Sequence, residues 1–326
     1  MKAVLCQTYG PPENLVIADV EPLKSGKGQV VLSVKACGVN FPDVLIIQGK
    51  YQFKPAFPFS PGSEVSGIVK AVGEGVEGVN VGEHVIAFTG WGGFAEEVAV
   101  DAGKLIPIPN SIDFSTAAAF TLVYGTAHYA LKDRAQLRSG ETLLVLGASG
   151  GVGLAAVEIG KVMGARVIAA ASTDEKLAVC KQHGADALIN YSTEDMRERI
   201  KVLTGGNGVD VIFDPVGSNF SEPALRSIAW NGRFLVIGFA GGDIPRIPLN
   251  LALLKSCSIV GVFWGAFTER EPNRNQENLQ ELLKWLTEGK LKPHISATYP
   301  LERAAEALNA MMNRTVKGKV VLLTDS

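Results

Sequence analysis

The chain has 326 residues, of which 47% are hydrophobic and 20% charged, and its formal net charge is −2. This is the composition of a soluble globular protein, and at roughly 100 to 200 residues per domain the length predicts two domains. The near-zero charge provides no basic field to attract nucleic acid. The glycines of the longest uncharged stretch argue against a membrane span. Met1 to Glu13 lacks a signal-peptide pattern, so we expect a cytoplasmic protein.

Short β-rich runs separated by glycine and proline fill the first 122 residues. The expected strands are Gln29 to Ala36, Gly67 to Val72, His84 to Phe88 and Ala95 to Val100. The pattern predicts a mainly antiparallel domain.

From about Tyr124 the pattern changes to apolar runs that alternate with helical stretches. The six expected strands are Thr142 to Leu146, Arg166 to Ala171, Ala187 to Asn190, Val209 to Asp214, Arg233 to Gly238 and Ser258 to Phe263. Their near-continuous hydrophobicity is typical of strands buried on both faces, so this region predicts a doubly wound parallel α/β sheet. A polar stretch, Thr268 to Gln276, precedes an amphipathic helix near Glu277 to Glu288, and a last strand, Gly318 to Leu323, is expected to return to the first domain.

The four cysteines stand far apart and the four histidines are equally scattered. No CxxC pair or Cys/His cluster has the spacing of zinc ligands. We therefore predict no structural zinc site.

A glycine-rich loop joins the first parallel strand to an apolar helix. The loop residues are Ala148, Ser149, Gly150, Gly151, Val152 and Gly153. Glycines here let the backbone turn tightly and approach a pyrophosphate, whose charge suits the positive end of the following helix. The pattern is AxGxxG rather than GxGxxG, but its place between strand and helix predicts a dinucleotide site.

The choice of dinucleotide depends on the end of the second parallel strand. An acidic residue there would bind the ribose 2′-hydroxyl of NAD, but this chain has Ser172, with Lys176 one helical turn further on. Nothing there repels a 2′-phosphate and a lysine attracts it, so NADPH is favoured, although Lys176 alone is equally compatible with a solvated surface lysine. Asp174 and Glu175 fit the first turn of the next helix.

Several segments together resemble the medium-chain dehydrogenase/reductase superfamily, and in particular its zinc-free quinone oxidoreductase branch, which includes ζ-crystallin. They are Cys37 to Asp43, Pro61 to Gly67, the loop at 147–153, Asp214 to Gly217 and Lys255 to Gly265. The resemblance implies a GroES-like catalytic domain formed by residues 1–123 and 266–326, and a Rossmann NADPH-binding domain at 124–265.

The departures from the zinc alcohol dehydrogenases are informative. Those enzymes have a zinc-binding cysteine where this chain has Asn40 and a histidine where it has Ser63. The resemblance therefore implies no zinc and no metal-stabilised alkoxide. It implies hydride transfer from NADPH to a small conjugated electrophile, a quinone or an enone, whose developing negative charge still needs hydrogen-bond donors.

By resemblance, three residues are expected at the reacting centre. Asn40 and Asp43 are expected beside the nicotinamide carboxamide, and the alternative for both is an Asx turn after the preceding strand. Tyr51 matches the proposed proton donor of 2-enoyl thioester reductases, and the alternative is a packing tyrosine. Phe53, Phe57 and Phe59 either line an apolar pocket or, as we slightly prefer, pack as ordinary core or loop residues.

The other cofactor contacts are expected at or after the ends of the parallel strands. Besides the glycine loop, Ser172 and Lys176, the matching positions are Thr126, Tyr191, Gly217, Phe239, Ala240, Phe263 and Trp264. For Lys317 and Lys319 we prefer solvated edge lysines to phosphate ligands.

The last parallel strand is apolar and would lie at a sheet edge, where pairing with a second copy makes a continuous sheet, so we expect a homodimer. Three functions stay open. They are an NADPH-dependent quinone reductase, an enoyl thioester or alkenal double-bond reductase that uses Tyr51, and a non-catalytic NADPH-binding protein.

Overall fold

The computed structural model describes residues 1–324, and these form two compact units. The first comprises Met1–Leu122 and the chain from Ile295 onward, and the second is Val123–His294. The chain leaves the first unit one residue earlier than the expected 123 but returns at Ile295 rather than at 266. The last two residues of the expected 266–326 segment lie outside the described residues.

The described residues contain fifteen strands and eleven α-helices. The strands are β1 (Lys2–Leu5), β2 (Val16–Asp19), β3 (Gln29–Val39), β4 (Glu64–Val72), β5 (His84–Phe88), β6 (Glu97–Asp101), β7 (Leu105–Pro107), β8 (Thr142–Leu146), β9 (Arg166–Ala171), β10 (Ala187–Asn190), β11 (Val209–Asp214), β12 (Ile228–Val236), β13 (Ser258–Gly261), β14 (Ile295–Pro300) and β15 (Lys319–Leu323). The helices are α1 (Phe41–Ile47), α2 (Phe114–Ala118), α3 (Thr121–His128), α4 (Gly151–Val162), α5 (Asp174–Gln182), α6 (Met196–Leu203), α7 (Ser221–Arg226), α8 (Asn250–Lys255), α9 (Trp264–Arg270), α10 (Pro272–Thr287) and α11 (Ala304–Met312).

The first unit is built on a largely antiparallel seven-stranded sheet in the order β14-β15-β3-β4-β5-β7, with β6 paired to β3. The long strand β3 pairs with β15, β4 and β6, and its Val30, Leu32 and Val34 are fully buried in the core. Branched apolar side chains at alternate positions favour such a strand, because they pack well on a pleated surface. This is the expected β-rich domain, and β14 and β15 bring the late segment of the chain into it.

The second unit contains a six-stranded parallel sheet in the order β10-β9-β8-β11-β12-β13. Counted along the chain from β8, this is the strand order 3-2-1-4-5-6 of the Rossmann fold. Leu144, Ile168 and Ile212 are fully buried within it, as expected of strands covered on both faces. The predicted doubly wound sheet is confirmed, with β8 to β11 at their expected bounds.

Side-chain contacts explain why residues 266–294 stay with the second unit. Phe267 of α9 is buried and its ring stacks on Tyr129, with centroids 4.0 Å apart. On α10, Glu281 accepts hydrogen bonds from His128 at 2.8 Å and from Lys132 at 2.6 Å. The expected boundary at 266 is therefore wrong. The helix expected near Glu277 is present but begins earlier, at Pro272, and the polar stretch from Thr268 belongs to the ends of α9 and α10.

Across residues 1–324, no helix combines the length and the apolar character that a bilayer crossing needs.

Candidate cofactor and active site

The carboxyl ends of the six parallel strands meet at one edge of the second unit. Every predicted cofactor residue of this unit except Thr126 lies at or just after such an end, where doubly wound sheets bind ligands. Along the edge, in spatial order, they are Tyr191 after β10, Ser172 and Lys176 after β9, the glycine loop after β8, Gly217 after β11, Phe239 and Ala240 after β12, and Phe263 and Trp264 after β13.

The glycine loop is shaped by backbone packing. Gly147 has a φ of +56°, which favours glycine, and Gly150 is the residue from which α4 begins. A side chain at Gly153 would lie 2.4 Å from the Gly147 carbonyl oxygen, whereas one at Gly150 would meet nothing closer than 3.5 Å. The loop therefore folds over Gly153 and leaves open space at Gly150, beside the unpaired N–H groups at the start of α4.

Ser172 and Lys176 are brought together as the sequence predicts. The Lys176 ammonium donates to the Ser172 hydroxyl at 3.2 Å, and both side chains are half-buried. Thr173 caps α5, which places Asp174 and Glu175 in the first helical turn, where their charge suits the helix dipole. The end of β9 thus presents a hydroxyl and a cation, the donors that a phosphate ester requires.

A buried carboxylate fixes the turn after β11. Asp214 accepts hydrogen bonds from the Val216 and Gly217 N–H groups, at 2.9 and 2.8 Å, and from the Ser221 hydroxyl at 2.5 Å. Burial raises the pKa of Asp214, and these donors offset part of that rise. Gly217 has a φ of +68°, and a side chain there would lie 2.8 Å from the Phe239 ring, so two predicted cofactor positions are neighbours.

Aromatic side chains lie at both ends of this edge. Trp264 is buried against the backbone of Gly125, next to Thr126 on α3, since a side chain at Gly125 would lie 2.7 Å from the indole. Phe263 is 49% exposed. At the other end Tyr191 packs on Phe220, with ring centroids 4.3 Å apart. The structure thus places Gly125, the chain neighbour of Thr126, against Trp264, although Thr126 itself does not follow a parallel strand.

In the first unit, Asn40 lies in a buried polar cluster with Asp43, Glu64 and Lys319. Its Nδ2 donates to the Gly38 carbonyl at 3.1 Å and to Glu64 at 3.2 Å, and its Oδ1 accepts from the Lys319 ammonium at 2.5 Å. The Asn40 backbone N–H donates to Asp43 Oδ2 at 2.8 Å, which caps α1. The turn after β3 is therefore a helix cap, and the Asn40 amide is fully bonded within the cluster.

The pKa of Asp43 is strongly perturbed. Its side chain is 1% exposed, and burial raises its pKa to about 7, although the Asn40 N–H and the Lys319 charge both oppose that rise. The carboxylate of Glu64, which is fully buried, accepts from Asn40, from Lys319 and from the Leu122 N–H at 2.8 Å. Two carboxyl groups and one ammonium thus share a volume that excludes water.

Tyr51 is half-buried against the core of the first unit, and burial, with a smaller contribution from the Asp43 charge, raises its pKa. The hydroxyl is therefore protonated at neutral pH and available as a donor. Phe53 and Phe57 are each 43% exposed, while Phe59 is buried in the core. Of the three phenylalanines, only Phe59 has plain core packing.

Sequence reasoning missed Lys319. We expected a solvated edge lysine, but this side chain is 4% exposed and its ammonium lies among three oxygen acceptors. The one signal in the sequence was that Lys319 directly precedes the apolar residues Val320 to Leu323 of a buried strand. Its partners are 255 to 280 residues away in the chain, so local patterns could not reveal them. Glu64 was missed for the same reason, although it lies inside one of the segments that carry the resemblance.

Comparison with known proteins places these features in a family. Residues 26–110 match the family described as "Alcohol dehydrogenase GroES-like domain", and residues 151–288 match "Zinc-binding dehydrogenase". The chain therefore belongs to the medium-chain dehydrogenase/reductase superfamily, whose two-domain plan is the one described above.

Within the superfamily the chain belongs to the quinone oxidoreductase-like branch. It is 42% identical to the quinone oxidoreductase-like protein 2 homolog of Nematostella vectensis, over 99% of this chain and 89% of that protein, and 34% identical to human quinone oxidoreductase over 99% and 98%. The structure of Escherichia coli quinone oxidoreductase complexed with NADPH superimposes with a TM-score of 0.92 at 28% identity, covering 99% of this chain and 100% of that one. These relatives identify an oxidoreductase of this branch.

The zinc that one family description implies does not fit the residues of this chain. At the two ligand positions, the Asn40 amide is bonded to an ammonium group and the Ser63 hydroxyl is buried without a partner among the described residues. No group of three or more His, Cys, Asp or Glu residues in the described chain is arranged to hold a metal ion.

Proposed function

We propose that the protein is an NADPH-dependent, zinc-independent quinone oxidoreductase that transfers a hydride to a quinone or a conjugated enone. The observation that carries the proposal is the edge of the parallel sheet, where an open glycine loop and the Ser172–Lys176 pair follow two adjacent strands. The relationship to quinone oxidoreductases, one of them complexed with NADPH, supports the same assignment.

The residues of the second unit fit NADPH. The N–H groups at the start of α4, beside the open space at Gly150, would bind the pyrophosphate, and Ser172 with Lys176 would bind the 2′-phosphate. Gly217, Phe239 and Trp264 would flank the remainder of the cofactor. When bound, NADPH supplies the hydride, that is, two electrons and one proton.

The acceptor then needs a further proton and a donor for its developing negative charge. When the acceptor is an enone, the half-buried hydroxyl of Tyr51, which stays protonated at neutral pH, would donate a hydrogen bond to the developing enolate oxygen. Asn40 and Asp43 would act indirectly, because both side chains are buried. The Asn40 side chain is hydrogen-bonded to Glu64, and the Asp43 carboxyl group accepts from the Asn40 backbone N–H. In this proposal they orient the site without contacting the ring, whereas the sequence predicted that they lie directly beside the nicotinamide carboxamide.

The first test is NADPH oxidation against quinones, enals and an enoyl thioester, with a chelator present throughout. Turnover with quinones that survives chelation supports the proposed function. Turnover with activated double bonds alone would move the assignment to a double-bond reductase. Tight NADPH binding without turnover on any acceptor would replace both with a non-catalytic binding protein.

Cofactor preference gives a second test. NADPH should bind about 10- to 100-fold more tightly than NADH, since charge-assisted hydrogen bonds contribute about 1.5–3 kcal/mol. Lys176→Met should remove most of that preference, and Ser172→Asp should reverse it by repelling the 2′-phosphate. Lys181→Met, at an exposed lysine in the last turn of the same helix, is the control and should leave it unchanged. Equal dissociation constants for the two cofactors by calorimetry would contradict the assignment.

The partly buried hydroxyl of Tyr51 favours double-bond reduction as a second candidate function. If this hydroxyl protonates the enolate, Tyr51→Phe should lower enone turnover at least about tenfold and leave quinone turnover nearly intact. Tyr9→Phe removes the hydroxyl of a more exposed tyrosine of the same unit and serves as the control. Equal losses on both acceptors would show that Tyr51 acts on neither one selectively.

We also propose that two copies pair through β13. This strand lies at the end of the parallel sheet, Ile259 is 40% exposed on it, and Leu253 and Leu254 of α8 are 79% and 64% exposed. An apolar sheet edge favours strand pairing, so light scattering should give a dimer that Ile259→Lys weakens. Val202→Lys, at an apolar residue of α6 that is 70% exposed, is the control and should have no effect. A monomer at all concentrations would rule the dimer out.

A further inference from the structure

The strongest feature that the proposed function leaves unused is the buried ammonium group of Lys319. Nζ lies 2.5 Å from Asn40 Oδ1, 3.2 Å from the Val39 carbonyl oxygen and 3.3 Å from Glu64 Oε2. An ammonium group has three N–H donors, and three oxygen acceptors therefore satisfy it completely. The lysine and the glutamate are 4% and 0% exposed, so neither charge is stabilised by water.

The acceptors around Lys319 are all oxygen atoms, and oxygen is what hard divalent cations prefer. One of them belongs to Asn40, which, by the family resemblance, stands at the position of a zinc ligand in the zinc alcohol dehydrogenases. A tethered positive charge already occupies the point on which an amide, a carbonyl and a carboxylate converge. A second cation bound to the same oxygens would lie within a few ångströms of the Lys319 ammonium group. The two positive charges would repel strongly, because no water screens them in this buried site.

We propose that Lys319 is a positioning residue whose ammonium group replaces a metal ion in this chain, since it holds Asn40 and Glu64 in one arrangement and excludes divalent cations from their oxygens. Both partners of the ammonium group also make hydrogen bonds at the start of a helix. Glu64 accepts from the Leu122 N–H in the first turn of α3, and the Asn40 N–H donates to Asp43 in the cap of α1.

The decisive variants separate the charge of Lys319 from its volume. Lys319→Ala removes both and leaves the oxygen acceptors facing an empty space, so Mn²⁺ should bind this variant at least about tenfold more tightly than the wild type. Mn²⁺ should also raise its melting temperature while leaving that of the wild type unchanged. Lys319→Met refills the volume without the charge and should neither bind Mn²⁺ nor regain the stability of the wild type.

The matched control is the double variant Lys319→Ala/Glu64→Gln, which should lose the Mn²⁺ response because the convergent carboxylate is gone. Binding is measured from the electron paramagnetic resonance signal of free Mn²⁺, which needs neither cofactor nor turnover. If Lys319→Ala folds only when Mn²⁺ is present, that dependence itself supports the proposal.

Two results would overturn it. One is a wild-type protein that binds Mn²⁺ or Zn²⁺ at one equivalent and loses that binding in Glu64→Gln. The other is a Lys319→Met variant with the stability of the wild type, together with a Lys319→Ala variant that is indifferent to Mn²⁺. The wild-type measurement remains decisive even if every variant misfolds.

A turnover measurement rests on the proposed function and is kept separate. Displacement of Asn40 by about 1 Å should lower NADPH-dependent turnover on the order of 100-fold in Lys319→Met. If the metal measurements succeed while the wild type reduces no acceptor, the role of Lys319 stands and the proposed function falls.

Discussion

Gly153→Ala should weaken both the fold of the cofactor loop and the binding of NADPH, whereas Gly150→Ala should weaken binding alone. A methyl group at Gly153 would lie 2.4 Å from the Gly147 carbonyl oxygen and 2.8 Å from the Ala148 Cα, both of them backbone atoms that have little freedom to move. Overpacking of this kind costs about 1–3 kcal/mol, and the loop must shift to relieve it.

The same substitution at Gly150 meets an open space, and the backbone there, with a φ of −76°, is one that alanine adopts freely. The melting temperature should therefore stay near that of the wild type. Because the methyl group enters the space intended for the pyrophosphate, NADPH affinity should fall by roughly 10- to 100-fold, or about 1.4–2.7 kcal/mol.

Calorimetric NADPH titration and thermal unfolding of both variants test the pair. The comparison is matched, since both changes add one methyl group within one loop of the same unit. Unaltered NADPH affinity in Gly150→Ala would mean that the pyrophosphate does not approach this loop, and the proposed cofactor site would have to move.

The stability of the protein should fall as the pH rises from about 5 to about 8, and Asp43 should be a principal cause. Burial raises the pKa of Asp43 to about 7, so over this range the folded state binds a proton that the unfolded state has released. Stabilisation by that proton is complete below the unfolded pKa and is lost as the pH rises through the folded one. For this group alone the loss is about 2–3 kcal/mol over the stated range.

Asp43→Asn should remove this part of the pH dependence. The substituted amide oxygen still accepts the Asn40 N–H that caps α1, and the side chain is neutral at every pH. Urea unfolding at several pH values measures the effect, and Asp101→Asn, at a carboxylate whose side chain is 61% exposed, is the control. A pH dependence that is the same in the wild type and in Asp43→Asn would show that Asp43 is ionised throughout.

Local patterns predicted the parallel sheet well because each of its strands is marked by neighbouring residues. Strands β8 to β11 are short apolar runs between helices, and their bounds agree with the prediction. The prediction placed the start of β12 at Arg233, whereas the strand begins at Ile228, because Trp230, Asn231 and Gly232 look like a turn in the sequence. Asn231 does adopt a φ of +59°, so the turn signal was real but lies inside a strand.

Features that depend on distant partners were not predictable in this way. The sequence predicts a helix near Glu277 to Glu288, but it gives no sign that Glu281 bonds to His128, 153 residues earlier, and so ties this helix to the second unit. Buried Lys319 resembles any lysine near a strand end, because the oxygens that pair with it lie in β3, β4 and the turn before α1. That the expected cofactor residues share one edge followed from their places after strand ends, whereas of the polar cluster only Asn40 and Asp43 were named, through the family resemblance.

The position of β15 has a consequence for biosynthesis. This strand lies between β14 and β3 inside the sheet of the first unit, and it contributes Lys319 to the buried cluster. During translation, β3 through β7 are made early, but their sheet lacks an interior neighbour until residue 323 has left the ribosome. The second unit, made from one continuous stretch of chain, can complete its core before then. Until then Ala36 to Val39 of β3 lack the partner that β15 provides, and we expect the nascent first unit to be most prone to mispairing in this interval.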